Sequence, residues 1–325
     1  MELRQIRYFI AVVEAGSLLK ASSRLGVAQP ALGQQIAALE EELGTRLFAR
    51  TSRGMQPTAA ARTFLDHAKV VLDDIERARA CVQHAGQTPG GEVAIGLPAT
   101  VAHVITVPIV RACREQLPLV RLKVIEAYSG FLREWLQVGR LDLAVLFGES
   151  SDPALSRQPL LDERLALVSR PDEPRRSTRI ALTKLAGIDM ILPGRDHGLR
   201  RIIDDACLTL GLDLRIVAEI DSLSSVKQAV RAGIGSTILP LAAVAEEVGE
   251  GQLFATAISD AAMKRRVVLA TNVTRPVTRA STAVARIITE LIHAMVNAGH
   301  WPGHWVGRSP TGQSTFPGSL DPRLA

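Results

Sequence analysis

Residues 17 to 57 hold two short amphipathic segments, a tight turn between them and an arginine-bearing ribbon behind, an order that few folds accommodate. Ser17 is a good N-cap, and Leu18, Leu19, Ala21 and Leu25 have the spacing of a short helix that stops at Gly26. Past the turn, Pro30 sits where a first helical turn tolerates a missing N–H, and Leu32, Ile36, Leu39 and Leu43 recur on one face. That face packs inward, while the other carries Gln29, Gln34 and Gln35. Side-chain amides both donate and accept hydrogen bonds, which is what reading base edges in a major groove requires. Gln29, Pro30 and Ala31 occupy the opening turn, where recognition helices make base contacts.

Residues 46 to 58 continue as a hairpin-like stretch with a turn at Gly54 and arginines at 46, 50 and 53. Arginines on such a wing meet phosphates or enter a narrow minor groove, adding salt-dependent affinity with little sequence choice. Taken singly, glutamines on a helix are its solvated face and hairpin arginines do nothing specific. Within the whole pattern, Gln29, Pro30, Ala31, Gln34, Arg50 and Arg53 are assigned to duplex DNA. Glu40, Glu41 and Glu42 repel phosphate and are read as solvent-facing and capping charges.

These residues resemble the LysR-type family of bacterial transcriptional regulators. The resemblance is carried by Phe9 to Ser17, by Ala28-Gln29-Pro30-Ala31-Leu32, by Leu39-Glu40, by Leu43 to Arg50 and by Pro57-Thr58. The Ala-Gln-Pro-Ala-Leu run and Arg53-Gly54 to Pro57-Thr58 are most similar to the nitrogen-assimilation-control branch. Gly33 departs from the family pattern, which has Ser there, and so lacks a hydroxyl for backbone or phosphate contact. A mid-helix Gly also costs about 0.5–1 kcal/mol relative to Ala.

At 325 residues, 47% of them hydrophobic, the chain exceeds one typical domain and has ample material for packed cores. A net charge of +5 and a pI near 9.4 permit nucleic-acid binding without demanding it. Residues 1 to 58 hold seven Lys or Arg against five acids, so arrangement matters more than sum. The cysteines, Cys81, Cys113 and Cys207, are odd in number and widely spaced, which argues against a disulfide framework and fits a reducing cytosol. A peroxide-sensing relative would carry a second cysteine close to Cys207, so all three are read as core thiols. No signal-type apolar run follows Met1, and nowhere do about 18 uncharged apolar residues occur together. A cytoplasmic protein is expected.

The expected fold is α/β overall. A winged helix-turn-helix domain spans 1–58, with the helix-turn-helix at about 18–37, and a linker helix and hinge span 59–88. A two-lobed α/β effector domain spans 89–300, and 301–325 is read as a disordered tail. Residues 58 to 84 run without Gly or Pro through Phe64, Leu65, Ala68, Val71, Leu72 and Ile75, one long helix whose apolar stripe is expected to pack on its counterpart in another subunit. Residues 85 to 91 form the hinge. Strand-like segments at 92–97, 120–126 and 141–147 alternate with helix-like segments at 101–116 and 131–138. That order implies a mostly parallel sheet. A second set of strands is read at 163–169, 188–192, 216–220, 237–239 and 263–271. The tail from Trp301 to Ala325 is rich in Pro, Gly and Ser.

The family resemblance extends to about residue 297 and implies an effector domain similar to periplasmic binding proteins, with a ligand between the lobes. Thr100 follows the first strand at a helix start, where an anion is favoured, although a plain N-cap role weighs equally. Ser129 carries the same ambiguity at the next strand-to-helix junction. Arg195, His197 and Gly198 lie in a loop that follows a strand and precedes a helix. Arg195 offers a fork for a carboxylate or is neutralised by Asp196. His197 reads ligand or pH, or makes a structural hydrogen bond.

No nucleophile elbow, metal-ligand spacing or dinucleotide fingerprint is present, so no catalytic residue, metal or cofactor is expected. An enzyme, or a solute-binding protein using the two lobes, is the alternative reading. The favoured one is a ligand-responsive transcriptional regulator. As a homodimer or homotetramer it reads a dyad-symmetric operator, responds to a small, carboxylate-bearing organic anion and contacts RNA polymerase.

Overall fold

Glycine and one serine set the turns of the N-terminal helices in the computed structural model, which describes residues 1–51, 54–83, 88–148, 152–171 and 179–308. The chain divides into two units, Met1–Ala85 and Gly86–Ala325. The first opens with α1 (Leu3–Ala15), α2 (Leu18–Leu25) and α3 (Gln29–Glu42). Gly16 and Gly26 end α1 and α2 at φ 63° and 67°, a region that a Cβ disfavours. Ser17 caps α2 by accepting from the Lys20 N–H at 3.4 Å. Strands β1 (Phe48–Thr51) and β2 (Gly54–Pro57) then pair antiparallel, with Phe48 opposite Pro57 and Arg50 opposite Met55.

Helix α4 (Ala59–Gln83) follows the ribbon. Fully buried Phe9 of α1 meets Phe48 and Phe64 at centroid distances of 5.6 and 4.9 Å, so one ring joins α1, the wing and α4. Leu65, Ala68 and Leu72 enter the same core. The stripe expected to pack on another subunit is therefore partly used within the chain, while Val71 and Val82 stay exposed.

In the second unit, β3 (Gly91–Leu97), α5 (Ala99–Gln116), β4 (Val120–Glu126), α6 (Ser129–Gln137) and β5 (Leu143–Phe147) alternate as expected. Next come β6 (Leu155–Ser169), β7 (Arg179–Ile180), β8 (Asp189–Leu192), α7 (Gly198–Thr209), β9 (Arg215–Glu219), α8 (Leu223–Arg231) and β10 (Thr237–Pro240). Short α9 (Ala245–Gly249), β11 (Phe254–Ile258), β12 (Lys264–Asn272), α10 (Arg279–Asn297) and β13 (Gly303–Trp305) complete it.

The sheet of the first lobe runs β4-β3-β5-β12-β6. It is mixed rather than mostly parallel: β3 lies parallel to β4 and β5, but β12 is antiparallel to both β5 and β6. The reason is topological. β6 leaves this lobe and β12 re-enters it beside β6, so the two must run in opposite directions. The segment read as a strand at 163–169 is the far half of β6, a strand long enough to serve both lobes. Its residues 155–164 pair with β12, while 165–169 pair with β10 and β11. Ile105 and Ile109 of α5 share one core with Ile288 and Ile292 of α10, and Leu132 and Leu136 of α6 belong to another. Leu165, Ile203, Val230 and Ile238 form the core of the second lobe.

The tail reading fails at its first residues. Trp301 is 1% exposed, β13 pairs antiparallel with β6, and the N–H groups of Val306 and Gly307 both donate to the Leu160 carbonyl at 2.9 and 3.1 Å. An indole that fills the core and backbone groups that complete a strand edge outweigh a composition rich in turn formers. Residues 309–325 lie outside the described residues. Cys113 and Cys207 are buried thiols in no disulfide, and burial pushes Cys113 up to about 11 and raises Cys207. The Cys81 side chain lies outside the described residues. No helix among the described residues is long and apolar enough to cross a membrane.

Candidate DNA-reading surface and effector cleft

Helix α3 divides its faces as its spacing requires. Leu32, Ile36 and Leu39 are buried, whereas Gln29, Pro30, Ala31 and Gln34 are exposed. No side chain caps its start at Ala28, which leaves its first N–H groups open to an anion. The far end behaves unlike the sequence reading. Glu40 is 7% exposed, and its Oε1 accepts from the N–H groups of Leu47 and Phe48 at 2.8 and 3.0 Å. Its Oε2 accepts from Arg46 Nη1 at 2.9 Å. Glu40 is thus no solvent charge but the clamp that fixes the first wing strand to α3. Two backbone donors that would otherwise be buried without partners drive it inward.

The wing is also tied to the turn before α2, where the Met55 N–H donates to the Gly16 carbonyl at 2.9 Å. Gly54 adopts φ 108°, and a Cβ there would lie 2.6 Å from the same carbonyl oxygen, so only glycine fits. The Arg50 backbone belongs to this ribbon, while its side chain and all of Arg53 lie outside the described residues.

In the second unit, three helix starts gather around one buried cation. Arg265, 3% exposed at the beginning of β12, donates from Nε to Glu163 Oε1 and from Nη2 to Thr100 Oγ1 at 2.7 Å. Its guanidinium lies 3.9 Å from the centre of the Phe147 ring. Glu163 is 1% exposed, and its second oxygen accepts from Trp301 Nε1 at 2.7 Å. Arg265 Nη1 is buried with no partner among the described residues. Thr100 is not the N-cap of α5, since Pro98 holds that position.

His197 is the N-cap of α7, its Nδ1 accepting from the Leu199 N–H at 3.1 Å. The structural hydrogen bond weighed for it therefore exists, and it assigns the ring proton to Nε2. Burial, and then the nearby Arg265, push the His197 imidazole below its ordinary value. Its ring meets Tyr128 edge-on at 5.1 Å, and a Cβ on Gly198 would lie 3.7 Å from Ser129 Oγ. Thr100, Ser129, His197 and Gly198 are thereby brought together across the two lobes. Arg195 is not part of this cluster. It is exposed, forms no pair with Asp196, and leaves Arg200 to secure the loop through the Pro193 carbonyl at 3.1 Å.

Sequence reasoning missed Arg265, Glu163, Tyr128 and Trp301. The strand period held one signal, because Arg265 falls on the same phase as Met263, Val267 and Leu269, all buried. An arginine on that phase is a buried arginine in search of partners.

Beside this cluster opens a cleft of about 740 Å³ lined by Ala99, His103, Tyr128, Phe131, Asp221 and Lys227 among others. Tyr128 borders both spaces; burial first, and then the nearby Asp221 carboxylate of the second lobe, raise its phenol. Lys227, 4% exposed, donates to Glu247 at 2.7 Å and lies 3.0 Å from His103 Nε2. Burial and then Lys227 lower His103. No group of three or more His, Cys, Asp or Glu residues able to hold a metal occurs among the described residues.

Residues 3–62 match the bacterial regulatory helix-turn-helix protein, lysR family, and residues 86–292 match the LysR substrate binding domain. The nitrogen assimilation regulatory protein nac of Klebsiella aerogenes is 37% identical over 264 residues, covering 81% of this chain and 86% of that protein. The transcriptional regulator BbuR of Bordetella bronchiseptica is 31% identical over 271 residues, 83% of this chain and 82% of that one. Full-length CbnR in complex with its target DNA has the same fold, with a TM-score of 0.69 at 23% identity over 90% of this chain and 99% of that chain. These families and relatives are transcriptional regulators rather than enzymes. This chain belongs to the LysR family of DNA-binding transcriptional regulators, with an N-terminal helix-turn-helix domain and a two-lobed effector-binding domain.

Proposed function

We propose that this regulator reads a dyad-symmetric operator as a homodimer or homotetramer and is switched by a small organic anion held between its lobes. On this reading Gln29, Pro30, Ala31 and Gln34 meet base edges, and Arg50 and Arg53 meet the DNA backbone. The exposure of the α3 start supports the first assignment. The observation that carries the anion is Arg265 Nη1, a buried guanidinium nitrogen without an acceptor among the described residues, where the starts of α5, α6 and α7 meet. Helix starts favour negative charge, and an open N–H of a guanidinium completes its hydrogen bonding with a carboxylate oxygen. Ser129 and the Nε2–H of His197 supply further donors. Anion binding changes how the lobes sit, and through them the spacing or bend of the operator and the contact with RNA polymerase. It does so only to the extent that the anion prefers one arrangement.

Footprinting on the intergenic DNA upstream of the protein's own gene, with and without a panel of small carboxylates, tests this reading. We expect a protected dyad-symmetric region whose length changes with one compound; protection that no carboxylate alters removes the anion from the reading. Replacing Gln29 with alanine abolishes operator preference and retains most non-specific affinity, because base contacts specify and phosphate contacts position. Retained preference in a competition gel shift would move the reading surface elsewhere.

A further inference from the structure

Glu163 holds Arg265 with only one oxygen, which is unusual for a buried carboxylate beside a guanidinium. A free carboxylate takes a guanidinium with both oxygens, fork to fork, and so uses up two of its donors. Here the second oxygen is occupied by the indole N–H of Trp301 at 2.7 Å. Nε alone serves Glu163, Nη2 serves Thr100, and Nη1 is left over. The segment that brings Trp301 to this place is built around the same residue. β13 lies antiparallel to β6 with Gly303 directly opposite Glu163, and a Cβ on Gly303 would meet the Leu161 side chain at 2.7 Å and the Asp162 carbonyl oxygen at 3.0 Å. The backbone of the C-terminal segment thus sets where Glu163 stands, and its indole sets which oxygen Glu163 can offer.

We infer that Trp301 is a positioning residue of the effector cleft: by occupying one oxygen of Glu163, it keeps Arg265 Nη2 on Thr100 and the guanidinium charge only half-matched, so that the remaining Nη1 can meet the carboxylate of a ligand. This rests on the reading of the cleft as an anion site, and it makes the segment at 301–305 part of that site rather than an appendage. Without the indole donor, Glu163 turns its second oxygen to the guanidinium, draws it away from Thr100 and spends the charge that a ligand would use. A phenylalanine at 301 fills most of the same volume but has no N–H, so the two roles of the side chain separate.

The test uses full-length protein titrated with sodium succinate, followed through the NMR shifts of the His197 ring. In Trp301→Phe the affinity falls about tenfold, the size expected for one lost charge-assisted contact, while the melting temperature stays near that of the parent. Arg265→Lys keeps the charge opposite Glu163 but has no Nη1; it loses the affinity too, and adding Trp301→Phe to it costs nothing more. Glu163→Gln has only one oxygen and cannot take both donors, so it restores affinity to Trp301→Phe, and this rescue remains readable if the single variant is poorly stable. Parent-like affinity in Trp301→Phe beside a weakened Arg265→Lys overturns the positioning role and spares the anion reading. A further tenfold loss from Trp301→Phe in the Arg265→Lys background also overturns it, since the indole then acts through packing alone. Parent-like affinity in Arg265→Lys overturns both.

Discussion

Glu40→Ala unfolds the winged unit well before the effector unit and abolishes DNA binding. The substitution leaves the N–H groups of Leu47 and Phe48 buried without acceptors and releases Arg46, itself 82% exposed and so a minor contributor. Each orphaned backbone donor costs about 1–3 kcal/mol, for a loss of about 2–6 kcal/mol. Glu40→Gln keeps the one oxygen that accepts from both amides and so loses only a small part of that. Urea unfolding followed separately in the two units checks this, with the transition of the second unit unchanged. A loss below about 1 kcal/mol for Glu40→Ala would mean that water reaches the two amides.

Arg265→Met destabilises the effector unit by about 3–5 kcal/mol, because it strands the Glu163 carboxylate in a site 1% exposed with the Trp301 indole as its remaining donor. Adding Glu163→Gln recovers most of the loss, since removing both members of a buried ion pair is far milder than removing one. Chemical denaturation of both single variants and the double variant closes this cycle. If the double variant is no more stable than Arg265→Met, the pair is not the source of the cost, and the aromatic contact of Arg265 with Phe147 becomes the term to measure.

The parts of the chain that were legible beforehand are those in which local chemistry decides structure. Ser17, Gly26 and Pro30 bound the helices of the first unit, and the strands from Glu92 to Phe147 came within two residues of their places, because caps and periodicity act over a few residues. Thr100 and Ser129 were legible together because the strand-to-helix junctions of neighbouring parallel strands lie at one sheet edge, and His197 and Gly198 stand at the equivalent junction after β8 in the other lobe. What escaped was set at a distance. Glu40 is buried by amides seven and eight residues away, and Arg265 by partners 102 and 165 residues away. Trp301 lies in a stretch whose Gly and Pro content argues for disorder, and one indole packed on a distant strand overrides that composition. The mixed sheet was missed for the same reason, since no local pattern marks which strand returns from another lobe.

The shared strand β6 has a mechanical consequence. Because β6 and β12 run side by side through the crossing, any rotation of one lobe against the other must be taken up near Asp162 to Leu165, next to the ladder irregularity opposite Val267 and Val268. Glu163 and Arg265 are paired in that ladder. On the proposed reading, a ligand that gripped Arg265 would push on the short arm of a lever, close to its fulcrum. A displacement of a fraction of an ångström there would become a swing at the lobe tips, so that the stiffness of the pivot, more than the area of the cleft, would set how far the lobes respond to a bound ligand.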